Sequence, residues 1–319
     1  MPNSATLRDF HEAQIGSWAL ARENVDALKA VRTRELTVRG GVVRLQYNPA
    51  RIVSSGAQID KDALAKRPCF LCDDNRPLEQ SVLPYGDDYS ILVNPYPILP
   101  YHLTISTCAH TPQCINRRLG DLLELSARFC DFVFFYNGAR CGASAPDHAH
   151  FQAGVRSYLP MEEEDSFTQR NILSPTITTY HSAVLRAYPT HYTPFFEIRS
   201  TEVIDATYLF SLLYQVLKEA QPKDVQPDEE PMMNLLCWHQ GNNYLLRIFP
   251  RAAHRPSCYY AEGADRILYS PGALDMGGLL AIVRQEDYDR LTAEDLEAAF
   301  AEVCSSEKTM QQLITRLSI

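Results

Sequence analysis

The stretch APDHAHFQAG, Ala145–Gly154, sets His148, His150 and Gln152 at alternate positions in a chain with only nine histidines. On a helix, residues two apart point to nearly opposite sides, whereas on a strand residues i, i+2 and i+4 line one face. The spacing predicts a strand that presents two imidazoles and an amide in a row. Its other face carries Ala149, Phe151 and Ala153, side chains suited to a core.

The flanking sequence supplies a sheet for that strand. Strand-like runs at YSILVNPYPI and HLTIST precede a helical pattern, RRLGDLLELSARFCDFVFFYNGA, which delivers the chain to the histidines. Later, FFEIRS reads as strand, DATYLFSLLYQVLKEA as helix, and MMNLLCWHQ and YLLRIFPR as strands joined at Gly241-Asn242-Asn243. The two parts look like versions of one α+β theme with a different order of elements. MEEEDS and QPKDVQPDEEP read as surface loops, and Thr292 to Asp295 forms a capping box that should start a helix.

Composition limits what such a chain can be. At 319 residues and 45% hydrophobic content it can bury a sizeable core, in two domains or one large duplicated domain. The first 25 residues mix charge throughout, and no later run is long enough to span a bilayer, which places the chain in the cytoplasm. Nine cysteines, without an export signal, read as buried thiols and metal ligands rather than a disulfide framework. A formal charge of −9 argues against a nucleic-acid backbone binder but leaves room for a small phosphorylated substrate.

RPCFLCDDNRP spaces Cys69 and Cys72 as in many zinc knuckles. A lone C-x-x-C is half a tetrahedral site, and a redox pair or two packed thiols are the alternatives. His110 and His148 supply third and fourth ligands that would close a structural Cys2His2 site. His102, just before the HLTIST strand, competes for the third place.

Together, CFLC and the downstream histidine-x-histidine-x-glutamine strand resemble the galactose-1-phosphate uridylyltransferase branch of the histidine-triad superfamily. ASAPDHAHFQAGVRSYLPMEEE is similar to the GDP-hexose phosphorylases, which carry a comparable run followed by a Pro-x-Glu element. NPYPILPYHLTIST resembles the usual histidine-triad lead-in, and ALDMGGLLAIVRQEDY resembles the C-terminal part of diadenosine tetraphosphate phosphorylases. The resemblance covers the chain from about Val42 onward. It implies an α+β protein of duplicated histidine-triad type, with one half at 1–160 and the other at 161–319. Each half would carry an antiparallel sheet with packed helices, and the nucleotide would sit at the edge of the first sheet.

The resemblance also implies roles. His150 would be the nucleophile that forms a nucleotidyl-histidine, His148 a zinc ligand, and Gln152 a neutral donor to the transferred phosphoryl group. Imidazole, with a reference pKa of about 6.5, is unprotonated near neutral pH, provided the other ring nitrogen holds its proton against a backbone carbonyl. The chain departs from the uridylyltransferases by placing Ala149 between the histidines and Phe151 before the glutamine, so uridine specificity does not carry over. Their second metal site has no counterpart, since RIFPRAAHRP offers His254 alone.

Ser144 in a small-residue loop, Asn94, Arg51, Arg76 and Arg247, with Arg251 and Arg255, are expected to supply phosphate donors. The expected activity is transfer of a nucleoside monophosphate from a nucleotide sugar or dinucleoside polyphosphate to phosphate or a sugar 1-phosphate. The alternatives are hydrolysis through the same histidine and a zinc-stabilised nucleotide-binding module without turnover. Sequence does not choose the base, the sugar or the acceptor, or between monomer and homodimer.

Overall fold

The computed structural model describes residues 2–52, 67–163, 175–221 and 229–318. Its strands are β1 (Arg32–Val38), β2 (Gly41–Tyr47), β3 (Leu83–Tyr85), β4 (Tyr89–Val93), β5 (Leu103–Thr107), β6 (Phe132–Asn137) and β7 (His150–Val155). They continue as β8 (Thr176–Tyr180), β9 (Ala183–Tyr188), β10 (Phe195–Ser200), β11 (Met233–Gln240), β12 (Asn243–Pro250) and β13 (Leu279–Ile282). β3 to β12 form a ten-stranded sheet in the order β3-β4-β5-β7-β6-β11-β12-β10-β9-β8. Every pairing in it is antiparallel.

Within each run of five, the last two strands exchange places, and a helix, Leu119–Arg128 or Val203–Glu219, links the third strand to the fourth. The second run repeats the first, and the expected difference in order disappears. Two features hid the match. β6 reads as the tail of a helical pattern because Phe132–Asn137 is buried on both faces, which removes the alternation that marks a half-buried strand. β8 and β9 were not anticipated. The helix before β6 ends at Arg128, and the aromatic, β-branched FVFFYN continues as strand.

The fold is therefore α+β, as expected, with the two half-sheets fused across a β6–β11 seam where Asn137 pairs with Asn234. This corrects the expected placing of the site at a sheet edge, because β7 lies between β5 and β6. One face of the sheet buries Phe151 and Ala153 with Leu122, Phe210 and Leu213 of the two linking helices. The other face, with Phe135, Leu236 and Trp238, packs against a three-stranded sheet β1-β2-β13 and Phe300.

Two local readings are met. Gly241, at φ +61°, turns the β11–β12 hairpin, and Thr292 and Asp295 exchange side-chain-to-backbone hydrogen bonds at the start of the helix Ala293–Val303. Met161–Glu163 belong to a short helix from Pro160, while residues 164–166 of MEEEDS and 222–228 of QPKDVQPDEEP lie outside the described residues. Among the described residues, no helix is long and apolar enough to cross a membrane.

Candidate functional site

β7 begins at His150, so His148, expected on the same strand, lies in the bend just before it. His150 N–H donates to Gln113 Oε1 at 2.8 Å, while Gln113 Nε2 donates to the carbonyls of His150 and Asn137. Gln113 thereby replaces ladder bonds where β7 parts from β6. The Nδ1–H of His150 donates to the His148 carbonyl at 2.8 Å. A carbonyl only accepts, so this bond assigns the proton to Nδ1 and leaves Nε2 with its lone pair. Burial pushes the His150 pKa down to about 4, so the ring is neutral at pH 7.

Gln152 is oriented by a second histidine. His102 is fully buried; its Nδ1 accepts the Ile98 N–H at 3.0 Å, so its Nε2 carries the proton and donates to Gln152 Oε1 at 3.0 Å. With the amide oxygen engaged, the Gln152 NH2 remains to serve as donor. Burial, reinforced by Arg51, lowers the His102 pKa to about 3 and keeps this arrangement neutral. Gly154 lets the Pro95–Pro100 segment approach β7: a Cβ there would lie 2.5 Å from Leu99 Cβ.

His150 and Gln152 line a cavity of about 440 Å³ together with Ser144, Asn94 and Arg51. Asn94 Oδ1 accepts from Tyr96 N–H, and Arg51 donates to the Tyr96 carbonyl. Arg67 belongs to the same wall and donates to the Ser144 carbonyl at 2.6 Å. Sequence reading missed Arg67, Gln113 and Asp275, which lie in or near loops with no periodic signal. It named His102 and His254 without placing either at the substrate. Asp275, also lining the cavity, has its pKa raised to about 7 by burial.

Three expected phosphate donors are corrected. Arg247 is enclosed in the second half, donating to Glu197 Oε2 at 3.1 Å and to the Met161 carbonyl, between Phe195 and Trp238. Its alternation on β12 turns it to a buried carboxylate rather than to the cavity. Arg76 pairs with Asp73 beside the cysteine loop and does not line the cavity. Arg251 is likewise committed, to Asn234 Oδ1 and the carbonyls of Val303, Pro271, Ala253 and His254. Arg255 does line the cavity, with its Nε on Ser270.

The donor atoms of Cys69, Cys72, His110 and His148 lie within 4.8 Å of one another, a group that can hold a metal ion. His148 Nδ1 is 3.4 Å from Cys69 Sγ and 3.5 Å from Cys72 Sγ, and His110 Nδ1 is 3.1 Å from Cys72 Sγ. The His148 Nε2–H donates to the Thr107 carbonyl at 2.8 Å, which frees Nδ1 as a ligand, and His110 Nε2 faces Asp147 at 3.7 Å. His102, the competing third ligand, is committed to Gln152 instead.

The duplicated ten-stranded sheet is a fold this chain shares with solved structures. Among solved structures, yeast Ap4A phosphorylase Apa2 matches with a TM-score of 0.56 and 14% identity, covering 90% of this chain and 93% of that chain. The same enzyme in complex with Ap4A matches at 0.55 and 14%, covering 90% and 96%, and in complex with AMP at 0.53 and 15%, covering 93% and 96%. A family model described as Domain of unknown function (DUF4922) matches residues 10–155. No curated protein matches the chain.

Proposed function

We propose that this chain transfers a nucleoside monophosphate from a nucleotide sugar or dinucleoside polyphosphate to phosphate or a sugar 1-phosphate, through a covalent intermediate on His150. The observation that carries this reading is the His150 ring: neutral, with Nδ1–H held by the His148 carbonyl, in the wall of the cavity. Its Nε2 attacks the α-phosphorus, and the bond to the leaving phosphate oxygen breaks with its electron pair. An acceptor phosphate oxygen then attacks the same phosphorus, and Nε2 departs with its pair restored. The Gln152 NH2, held by His102, donates to the phosphoryl oxygens, and Arg51 and Arg67 offset charge on donor and acceptor.

A cavity of about 440 Å³ falls in the ~300–1,000 Å³ range of small-molecule sites. The structures sharing the fold include complexes with Ap4A and with AMP, which supports a nucleotide in this cavity. The cysteine–histidine group suits zinc, with two thiolates and two imidazoles and no open position, so its role is structural. It would anchor the cysteine loop to the strand that carries His150.

A phosphate-built pocket serves an anionic acceptor better than water, which would leave its arginine and amide donors unused. A panel of nucleotide sugars and dinucleoside polyphosphates, with and without phosphate, is read by product mass. Nucleoside diphosphate plus sugar 1-phosphate, or nucleoside diphosphate plus nucleoside triphosphate from a dinucleoside tetraphosphate, is expected only with phosphate present. Nucleoside monophosphate formed at an unchanged rate without phosphate or sugar phosphates defines a hydrolase and overturns the acceptor assignment.

A further inference from the structure

The segment after β12 enters the cavity from the second half of the chain. Arg251 grips the carbonyls of Ala253 and His254, and the His254 Nδ1–H donates to the Arg140 carbonyl at 3.0 Å. That bond places the proton on Nδ1, as in His150. The His254 Nε2 is buried and meets no hydrogen-bond partner among the described residues, although the residue lines the cavity. A buried acceptor without a partner carries a desolvation cost that a ligand donor removes.

We infer that His254 Nε2 accepts a hydrogen bond from a ribose hydroxyl of the bound nucleotide, and so makes the cavity selective for ribonucleotides. The inference rests on the nucleotide reading above. Phosphate groups offer only acceptors once ionised, and bases differ in their donors. The ribose hydroxyls are the donors that nucleotide sugars and dinucleoside polyphosphates have in common. The ring stays an acceptor because burial, with Arg255 and Arg251 nearby, lowers its pKa to about 4.

Two conservative variants separate this role from a structural one. In His254→Asn the amide NH2 can keep the bond to the Arg140 carbonyl but cannot reach the Nε2 position. In His254→Gln the longer side chain can bring its oxygen to the Nε2 position at the expense of the Arg140 bond. Binding of ADP, GDP, UDP and CDP is measured by calorimetry, followed by the 2′-deoxy and 3′-deoxy forms of whichever binds most tightly. The wild type is expected to bind one deoxy form roughly tenfold or more weakly. His254→Asn should bind ribo and deoxy forms alike, and His254→Gln should recover the preference.

Equal wild-type affinity for all three sugars overturns the inference without recourse to any variant. A preference that survives in His254→Asn overturns it while leaving the nucleotide reading in place. Failure of all four diphosphates to bind the wild type removes that reading and this inference together.

Discussion

His148 and His150 are joined by a single hydrogen bond, from the Nδ1–H of His150 to the backbone carbonyl of His148 at 2.8 Å. The same His148 turns its ring Nδ1 to the thiols of Cys69 and Cys72 and its Nε2 to the Thr107 carbonyl. One residue therefore sets the tautomer of His150 and belongs to the group that can hold a metal ion. The bend that carries His148 just before β7 makes this arrangement possible, because it brings the His148 carbonyl within reach of the His150 ring.

Replacing His150 should remove turnover while leaving the fold intact. His150→Asn keeps a polar side chain of smaller volume and has no nucleophilic nitrogen, so a loss of more than about 10³-fold in kcat is expected. Wild type incubated with donor and no acceptor should gain the mass of one nucleoside monophosphate on a peptide containing His150, through an acid-labile bond. Residual turnover near wild type in the variant would exclude His150 as the nucleophile.

The cysteine–histidine group should hold one zinc per chain. Elemental analysis of protein purified without chelator tests the stoichiometry directly. Cys72→Ser should lose zinc, and with it roughly 5 °C or more of melting temperature, since loops from three parts of the chain meet at this point. A variant that loses zinc and keeps its melting temperature would show that the group does not anchor the fold.

His102 acts through Gln152 rather than on the substrate, so the two substitutions should not add. Gln152→Ala is expected to lower kcat about 10²-fold by removing a donor to the phosphoryl group. His102→Ala releases the Gln152 amide and should approach the same loss, and the double variant should be little worse than Gln152→Ala alone. Full additivity in this cycle would separate the two residues.

His150 and Gln152 were legible as strand neighbours because a period of two is a strong signal at short range, whereas His148 falls in the bend before β7. The Cys69, Cys72, His110 and His148 set was legible as one of several readings of the C-x-x-C pair, and only the fold brings the four donors together. What escaped notice was carried by tertiary contact. Gln113 holds both backbone groups of His150 from a loop with no pattern, and His102 is distinguished from a metal ligand only by the Ile98 N–H that sets its tautomer. Arg247 looked available because arginine is usually exposed, yet Glu197, its register partner on β10, claims it in the core. The doubled topology was hidden for a similar reason: β6, buried on both faces, carries no alternation to read.

Gly154 gives a stability test of the packing that holds this arrangement. A Cβ at 2.5 Å from Leu99 Cβ forces β7 and the Pro95–Pro100 segment apart, so Gly154→Ala should cost about 1–3 kcal/mol. Ile98 lies in that segment and its N–H sets the His102 tautomer, so kcat should fall as well. Chemical denaturation gives the first quantity, and unchanged stability would show that the segment yields.

Asp275 lines the cavity with a pKa raised from the usual carboxylate value to about 7, first by burial, against opposing contributions that include Arg251 and Arg51. Below pH 7 the group is neutral; above it a negative charge enters a cavity proposed to bind polyphosphate. The linking phosphates of the donor are ionised throughout the range from pH 6 to 8, so they add no titration of their own. The kcat/KM for the donor should therefore fall as pH rises from 6 to 8, the reverse of what an unprotonated catalytic base would give. Asp275→Asn keeps an oxygen to accept the Gly272 N–H, a bond of 2.8 Å in the wild type, and removes the charge. Its profile should be flat over the same interval and meet the wild-type value at pH 6. A wild-type profile without this decline, or a decline that persists in Asp275→Asn, would show that Asp275 does not set the donor's affinity.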